Sequence, residues 1–454
     1  MNENKDYLGT ERISKLFVRM VIPSVVAQLI SLIYNIVDRI YIGHIPGSGS
    51  LALTGVGICM PLVIIISAFA SLVGIGGAPL ASIHLGRKDT QTAETILGNC
   101  TVVLLGLSVV LTAVFQFFAA DLLMLFGASK NTLPFALEYM RTYVWGTIFV
   151  QFALALNNFI TAQGFTRISM ITVLTGAVCN IILDPIFIFS MNMGVRGAAL
   201  ATVISQALSA VFVLLFLSGR KTGIRLKRHC MKPDIKLILR FLSLGLSPFV
   251  MQSTECILSI CFNNSLLKYG GDIAVGAMSV FATIMQLATL PMMGFAQGAQ
   301  PITSYNYGAD NWDRVAANFK LLLTASLSYS ALMWIVILLF PQLLIQIFTN
   351  DPVLISYSSS MIRIYFGMLI FMGAQLACQN TFLALENAKV SLFLALLRKV
   401  FLLIPLIYIL PVLISNQTAA VFLAEPIADA LAAITTLTLF CLQYRNQLFS
   451  RSKI

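Results

Sequence analysis

Charge is what this 454-residue chain lacks: 10% of its residues are Asp, Glu, Lys or Arg, where soluble domains carry about a quarter. With 58% hydrophobic residues and a mean hydropathy of +0.89, it cannot be a water-soluble globule. Histidine is scarce too. His44, His84 and His229 are the full set, and none is grouped with acids in a catalytic arrangement. The eight cysteines are scattered without a Cys-x-x-Cys pair, which argues against disulfides and structural zinc. No Gly-x-x-x-x-Gly-Lys-Ser/Thr loop occurs and no connection exceeds about 20 residues, so no nucleotide-hydrolysing domain fits. Gly74-x-Gly76-Gly77 lies inside an apolar stretch without a following Lys, and reads as close helix packing.

What is present is length without charge. Crossing a hydrocarbon core of ~30 Å takes ~20 helical residues. Stretches of that kind fall near 17–40, 51–83, 95–117, 136–160, 169–190, 196–217, 240–266, 273–305, 316–340, 355–384, 391–414 and 418–444. The reading is all-α: a polytopic membrane protein of twelve transmembrane helices. Residues 1–16 are polar and the first apolar stretch has no small-residue cleavage site, so it is expected to be a retained helix.

The net charge of +11 invites a nucleic-acid reading, but the bases follow topology rather than a binding face, and no nucleic-acid partner is expected. Their densest group is the middle connection, with Arg220, Lys221, Arg225, Lys227, Arg228, Lys232, Lys236 and Arg240. This bias places both termini and the central connection in the cytoplasm of a multi-pass plasma-membrane protein.

Residues 52 to about 200 recur weakly 222 positions later: Ala52 with Ala274, Gly76 with Gly298, Pro79 with Pro301, Gly86 with Gly308, Arg141 with Arg363, Ser169 with Ser391. The chain therefore divides into an amino-terminal lobe (1–222), a basic linker (223–239) and a carboxyl-terminal lobe (240–454), two six-helix parallel repeats. Two such halves in a bilayer suggest a carrier with its substrate pathway along their interface. Lacking a nucleotide motor, it must draw on an ion gradient.

A buried charge costs at least ~2.5–3.5 kcal/mol on insertion scales, so carboxylates inside apolar helices are functional candidates. In the first helix Gln28, Ser31, Asn35 and Asp38 share a face, with Tyr34 beside it. In the fifth, Thr172, Gly176, Asn180 and Asp184 step by four; in the sixth, Thr202, Ser205, Gln206 and Ser209 form a stripe. At ~1.5 Å per residue, Asp184 lies ~22 Å across, on a level with Thr202 and Asp38. Pro185 has no N–H for the carbonyl of Ile181, which leaves that oxygen free one turn from the carboxylate. Two carboxylates, an amide, a hydroxyl and a loose carbonyl form a hard-cation cage, and without a cation one carboxylate would hold a proton. The set suits Na⁺ or H⁺, with no other cofactor. Pro23 and Pro248 are expected kink points.

At the same offset the cage residues become Leu406, Leu402 and Ala424, so the carboxyl lobe does not repeat it. It carries a different polar network: Glu255 on a stripe with Gln252, Ser259 and Asn263, plus Arg398, Lys399, Glu425 and Asp429. A structural salt-bridge cluster and a role in cargo or proton handling both remain open.

Asn180-Ile181-Ile182-Leu183-Asp184-Pro185, followed by Gly194-Val195-Arg196-Gly197-Ala198-Ala199-Leu200-Ala201-Thr202, resembles the multidrug and toxic compound extrusion (MATE) family. The likeness extends to Tyr34-Asn35-Ile36-Val37-Asp38, Gln297-Gly298-Ala299-Gln300-Pro301 and Asn306-Tyr307-Gly308-Ala309. The resemblance implies an antiporter, not an enzyme, that exports small amphipathic, often cationic organic compounds in exchange for Na⁺ or H⁺. It implies a cation site at Asp38, Asn180, Asp184 and Thr202. The protein is expected to work as a monomer with membrane lipid as its surroundings. The alternative is a flippase for a lipid-linked or amphipathic metabolite, which would favour a cationic cleft.

Overall fold

The computed structural model describes residues 7–47, 49–220 and 222–448; Lys221 of the basic group lies outside them, as do residues 1–6 and 449–454. Every regular element among the described residues is helical. Among the described residues, nine helices are long and apolar enough to span a membrane, and two helix pairs bent by 58° and 47° add two spans. The 74-residue run Ile235–Gly308 supplies two arms, because it breaks at Gly271 (φ 65°, ψ −164°) in a region of backbone space open to glycine. The total is the expected twelve.

In order these are α1 (Ile13–Gly43), α2 (Gly49–Gly86), α3 (Thr90–Phe117), α4 (Leu133–Trp145 bent into Thr147–Ala162) and α5 (Thr166–Pro185, continued as a π-helix over Ile186–Ser190). Then come α6 (Gly194–Ser218), α7 (235–270), α8 (272–308), α9 (Trp312–Leu339) and α10 (Pro352–Tyr365 bent into Leu369–Ala384). Last are α11 (Ala388–Leu396, π-helical over Leu397–Leu403, then Ile404–Leu413) and α12 (Gln417–Leu448). The seventh and eighth stretches, 240–266 and 273–305 in the sequence, are helical up to their junction and meet at a single glycine.

The duplication is carried in backbone detail. Thr90–Phe117 recurs as Trp312–Leu339 and Thr147–Ala162 as Leu369–Ala384, each at the 222-residue offset. The left-handed residues Lys88 (φ 62°) and Asp310 (φ 55°) repeat at it too, as do Gly164 (φ 91°) and Glu386 (φ 62°). Each half buries its own core. In the carboxyl lobe Phe281 meets Phe366 and Phe422 edge to face and stacks on Tyr365; in the amino lobe Phe159 sits among Leu97, Leu156 and Val213. Phe152 and Met292 belong to these cores as well.

Twelve crossings put both described ends on one face, here the linker face. The two lobes meet through glycines in the half of the bilayer nearest it. A methyl group on Gly298 would stand 2.6 Å from the Val21 backbone of α1, and one on Gly294 2.7 Å from Val25. Gly76 and Gly245 make the matching crossing of α2 with α7, where an added carbon would strike the backbone oxygens of Phe241 and Leu72. Gln28 of α1 donates to Gln297 of α8 at 2.8 Å across the same joint.

The short helix Tyr7–Thr10 closes this joint like a strap. Asn306 and Arg314 both donate to the Leu8 carbonyl at 3.0 Å, and Arg314 also to that of Glu11 at 2.7 Å. The linker is strapped as well. Glu94 of α3 accepts from Lys227 Nζ at 2.6 Å, and Asn99 holds the Lys232 carbonyl at 3.1 Å and the Asp234 N–H at 2.7 Å.

Candidate cation site

The amino-lobe site is built by three helices. Asn180 and Asp184 lie one turn apart on α5 and so project from one face. Beyond Pro185 the α-helical ladder gives way to π geometry, an irregularity that suits a functional position. Gly197 lets α6 descend onto this π turn, since a methyl group there would stand 2.7 Å from the Phe187 backbone. Five residues further along α6, Thr202 faces Asn180. The third wall is α1. Pro23 leaves the Arg19 carbonyl without its helical partner, and the Thr166 hydroxyl at the start of α5 takes it up at 3.5 Å.

Asn180 Nδ2 donates to Asp184 Oδ1 at 3.3 Å and to Thr202 Oγ1 at 3.4 Å, while the Thr202 hydroxyl donates to the Ala198 carbonyl at 3.1 Å. Asp38 brings its carboxyl beside that of Asp184, and Tyr34 neighbours both. Asp184 is fully buried, and Asp38, Asn180 and Thr202 are buried around it. Asn35 differs: it lies on the exposed side of α1 and donates to the Ser31 carbonyl at 2.6 Å.

Three oxygens in this small volume, Asp38 Oδ1, Asn180 Oδ1 and Asp184 Oδ2, are buried with no hydrogen-bond partner among the described residues. Each orphaned buried acceptor costs about 1–3 kcal/mol. A proton, or a hard cation bound by oxygens, removes that cost. The donor set fits Na⁺ or H⁺ on chemical grounds. Among the described residues there is no group of three or more His, Cys, Asp or Glu, as a transition-metal site would need.

In the carboxyl lobe the five charges find one another. Arg398 Nε donates to Asp429 at 2.6 Å and its Nη2 to Glu425 at 3.0 Å; Lys399 donates to the Met251 carbonyl at 2.7 Å and pairs with Glu255. Both bases sit on the π-helical stretch of α11. Lys399 is buried, whereas the Glu255 side chain is 58% exposed. Sequence patterns singled out Gln28 and Gln297 without pairing them, and they missed the bond from Thr166 to α1, since Thr166 carries no charge to draw attention.

Twelve spans among the described residues, in two parallel repeats, with a buried carboxylate pair in one of them, are the frame of a membrane-embedded transporter, not an enzyme. The MatE family model matches residues 23–186 and 249–409, most of both lobes, and the chain belongs to that family. Curated relatives include a multidrug export protein MepA of Staphylococcus haemolyticus, 26% identical over 372 residues, covering 82% of this chain and 81% of that protein. The Staphylococcus aureus (strain MRSA252) MepA is 24% identical over 441 residues, covering 96% and 95%. Among solved structures, an outward-facing multidrug resistance MATE family transporter of the MOP superfamily has a TM-score of 0.91 at 22% identity, with 98% of each chain covered. A MATE in complex with MaD3S has a TM-score of 0.90 at 22% identity, covering 98% of this chain and 99% of the other.

Proposed function

We propose that this protein is a cation-coupled antiporter of the plasma membrane that exports amphipathic, often cationic organic compounds by alternating access. The observation that carries the coupling is the convergence of three unpartnered buried oxygens on Asp38, Asn180 and Asp184. The names of the MepA relatives support the cargo class. Both termini and the basic linker face the cytoplasm, following the distribution of Lys and Arg.

In this reading Na⁺ or H⁺ enters from outside and binds between Asp38 and Asp184, with Asn180 and Thr202 completing the oxygen set and Tyr34 and Pro185 shaping it. Neutralising the pair draws α1 towards α5. Pro23 absorbs the change, because the α1 backbone is already released there and tied to Thr166. The ion drives the cycle only through its different affinity for the two states. The lobes, 1–222 and 240–454, rock as bodies, with 223–239 held to the amino lobe by Glu94 and Asn99. Opening towards the cytoplasm separates the glycine crossings and releases the strap at residues 7–11. The bases of α11 are neutralised by acids, which favours cationic cargo over a phosphate-bearing lipid.

The test is ethidium transport by the purified single chain in proteoliposomes, with Na⁺ and pH gradients imposed separately. One of the two should drive uphill movement. If neither does, coupling at this site is wrong.

A further inference from the structure

On the face opposite the linker, the end of α9, the short helix Pro341–Gln346 and the outer arm of α10 enclose a groove of about 530 Å³. It lies outside the cation site and plays no part in the transport reading above. Its one charged lining residue is Arg363, which makes no ion pair or hydrogen bond with any described side chain. Ser356 and Gln342 add exposed polar groups beside it. Leu339, Phe340 and Leu343 form an exposed apolar rim. Arg363 shares the groove with the last turn of α9, which places it towards the end of that span opposite the linker.

The internal repeat supplies a control within the same molecule. At the 222-residue offset Arg363 corresponds to Arg141 and Phe340 to Phe118, so the basic and aromatic elements are duplicated. The polar surroundings are not. Where the carboxyl lobe has Leu343 and Ser360, the amino lobe has Asp121 and Glu138. The amino-lobe counterpart is therefore net acidic, while the carboxyl-lobe groove is net basic with hydroxyl and amide groups around its cation. A free arginine, neutral hydrogen-bonding groups and an apolar rim at the membrane boundary are complementary to a phosphodiester carrying acyl chains.

We propose that this groove binds the headgroup of an anionic phospholipid in the leaflet opposite the linker, with Arg363 on the phosphate and the acyl chains along Leu339, Phe340 and Leu343. The amino-lobe counterpart does not.

Native mass spectrometry of the full-length protein, titrated with dioleoylphosphatidylglycerol or dioleoylphosphatidylcholine, tests this. The wild type should retain phosphatidylglycerol in preference. Arg363→Gln should weaken that retention about five-fold, the worth of one basic side chain at an anionic surface. Arg141→Gln should leave it intact. The double variant Leu343→Asp/Ser360→Glu, which recreates the amino-lobe pattern and keeps the arginine, should lose it as well, so the test does not depend on Arg363→Gln folding. Equal retention of the two lipids by the wild type would overturn the proposal, as would wild-type retention by a folded Arg363→Gln or by the folded double variant.

Discussion

Asp184→Asn is the most direct probe of the ion site. Asp184 Oδ1 accepts from Asn180 Nδ2 at 3.3 Å, a bond the asparagine carbonyl reproduces, so helix packing should survive. What changes is Oδ2, one of the three unpartnered acceptors, which becomes an amide donor directed into the site. The site loses one negative charge and one oxygen ligand. A hydrogen bond or ligand contact to a charged group is worth about 1.5–3 kcal/mol, so ion affinity should fall at least about ten-fold. A ten-fold ion gradient supplies only about 1.4 kcal/mol per exchanged ion, enough for a ten-fold cargo ratio at one-for-one exchange. A site weakened that far stays mostly empty at ion concentrations that fill the wild type, so cargo movement is no longer tied to the ion and the gradient cannot be used. In vesicles under that gradient, the steady ethidium ratio should fall from about ten towards one, with elution volume and melting temperature preserved. Asp38→Asn should behave alike. A folded Asp184→Asn protein that sustains the wild-type ratio would refute the reasoning.

Three further outcomes test other parts of the structure. Gly245→Ala drives a methyl group into the Leu72 backbone and should lower stability by about 1–3 kcal/mol in a detergent melt, while Gly57→Ala, with nothing within 4 Å, should not. Arg398→Met strands Glu425 and Asp429, buried at 6% and 3% exposure, at a cost of about 3–5 kcal/mol; loss of folded yield should be relieved by adding Glu425→Gln and Asp429→Asn. Asp89 caps α3 by accepting from Thr92 N at 3.0 Å, and hydrogen bonds from Thr92 hold its carboxyl below the usual carboxylate range. A lowered folded value means its contribution is complete above about pH 4 and lost as pH falls through that value. Asp89→Ala should cost about 1 kcal/mol at neutral pH and remove that part of the acid sensitivity of the melting curve.

The twelve spans were legible because hydropathy is a local property: an uncharged run of sufficient length must cross, whatever surrounds it. The repeat was legible for a related reason, since backbone demands such as the left-handed turns at Lys88 and Asp310 recur with the fold. Helical period also placed Asn180 under Asp184, one turn apart on a single helix.

Period says nothing about what a face meets. It put Asn35 on the stripe of Asp38, yet packing left Asn35 exposed and buried Asp38 beside Asp184. It listed five charges in the carboxyl lobe without pairing them, and it gave no sign of the strap at residues 7–11 or of the groove at Arg363. Those features depend on side chains brought together from distant parts of the chain. The sequence by itself determined how many helices there are and which residues share a face. Only the tertiary structure decided which faces touch, because that choice is made by glycine-sized gaps such as Gly197 and Gly298, where two backbones close to contact and set every neighbour around them.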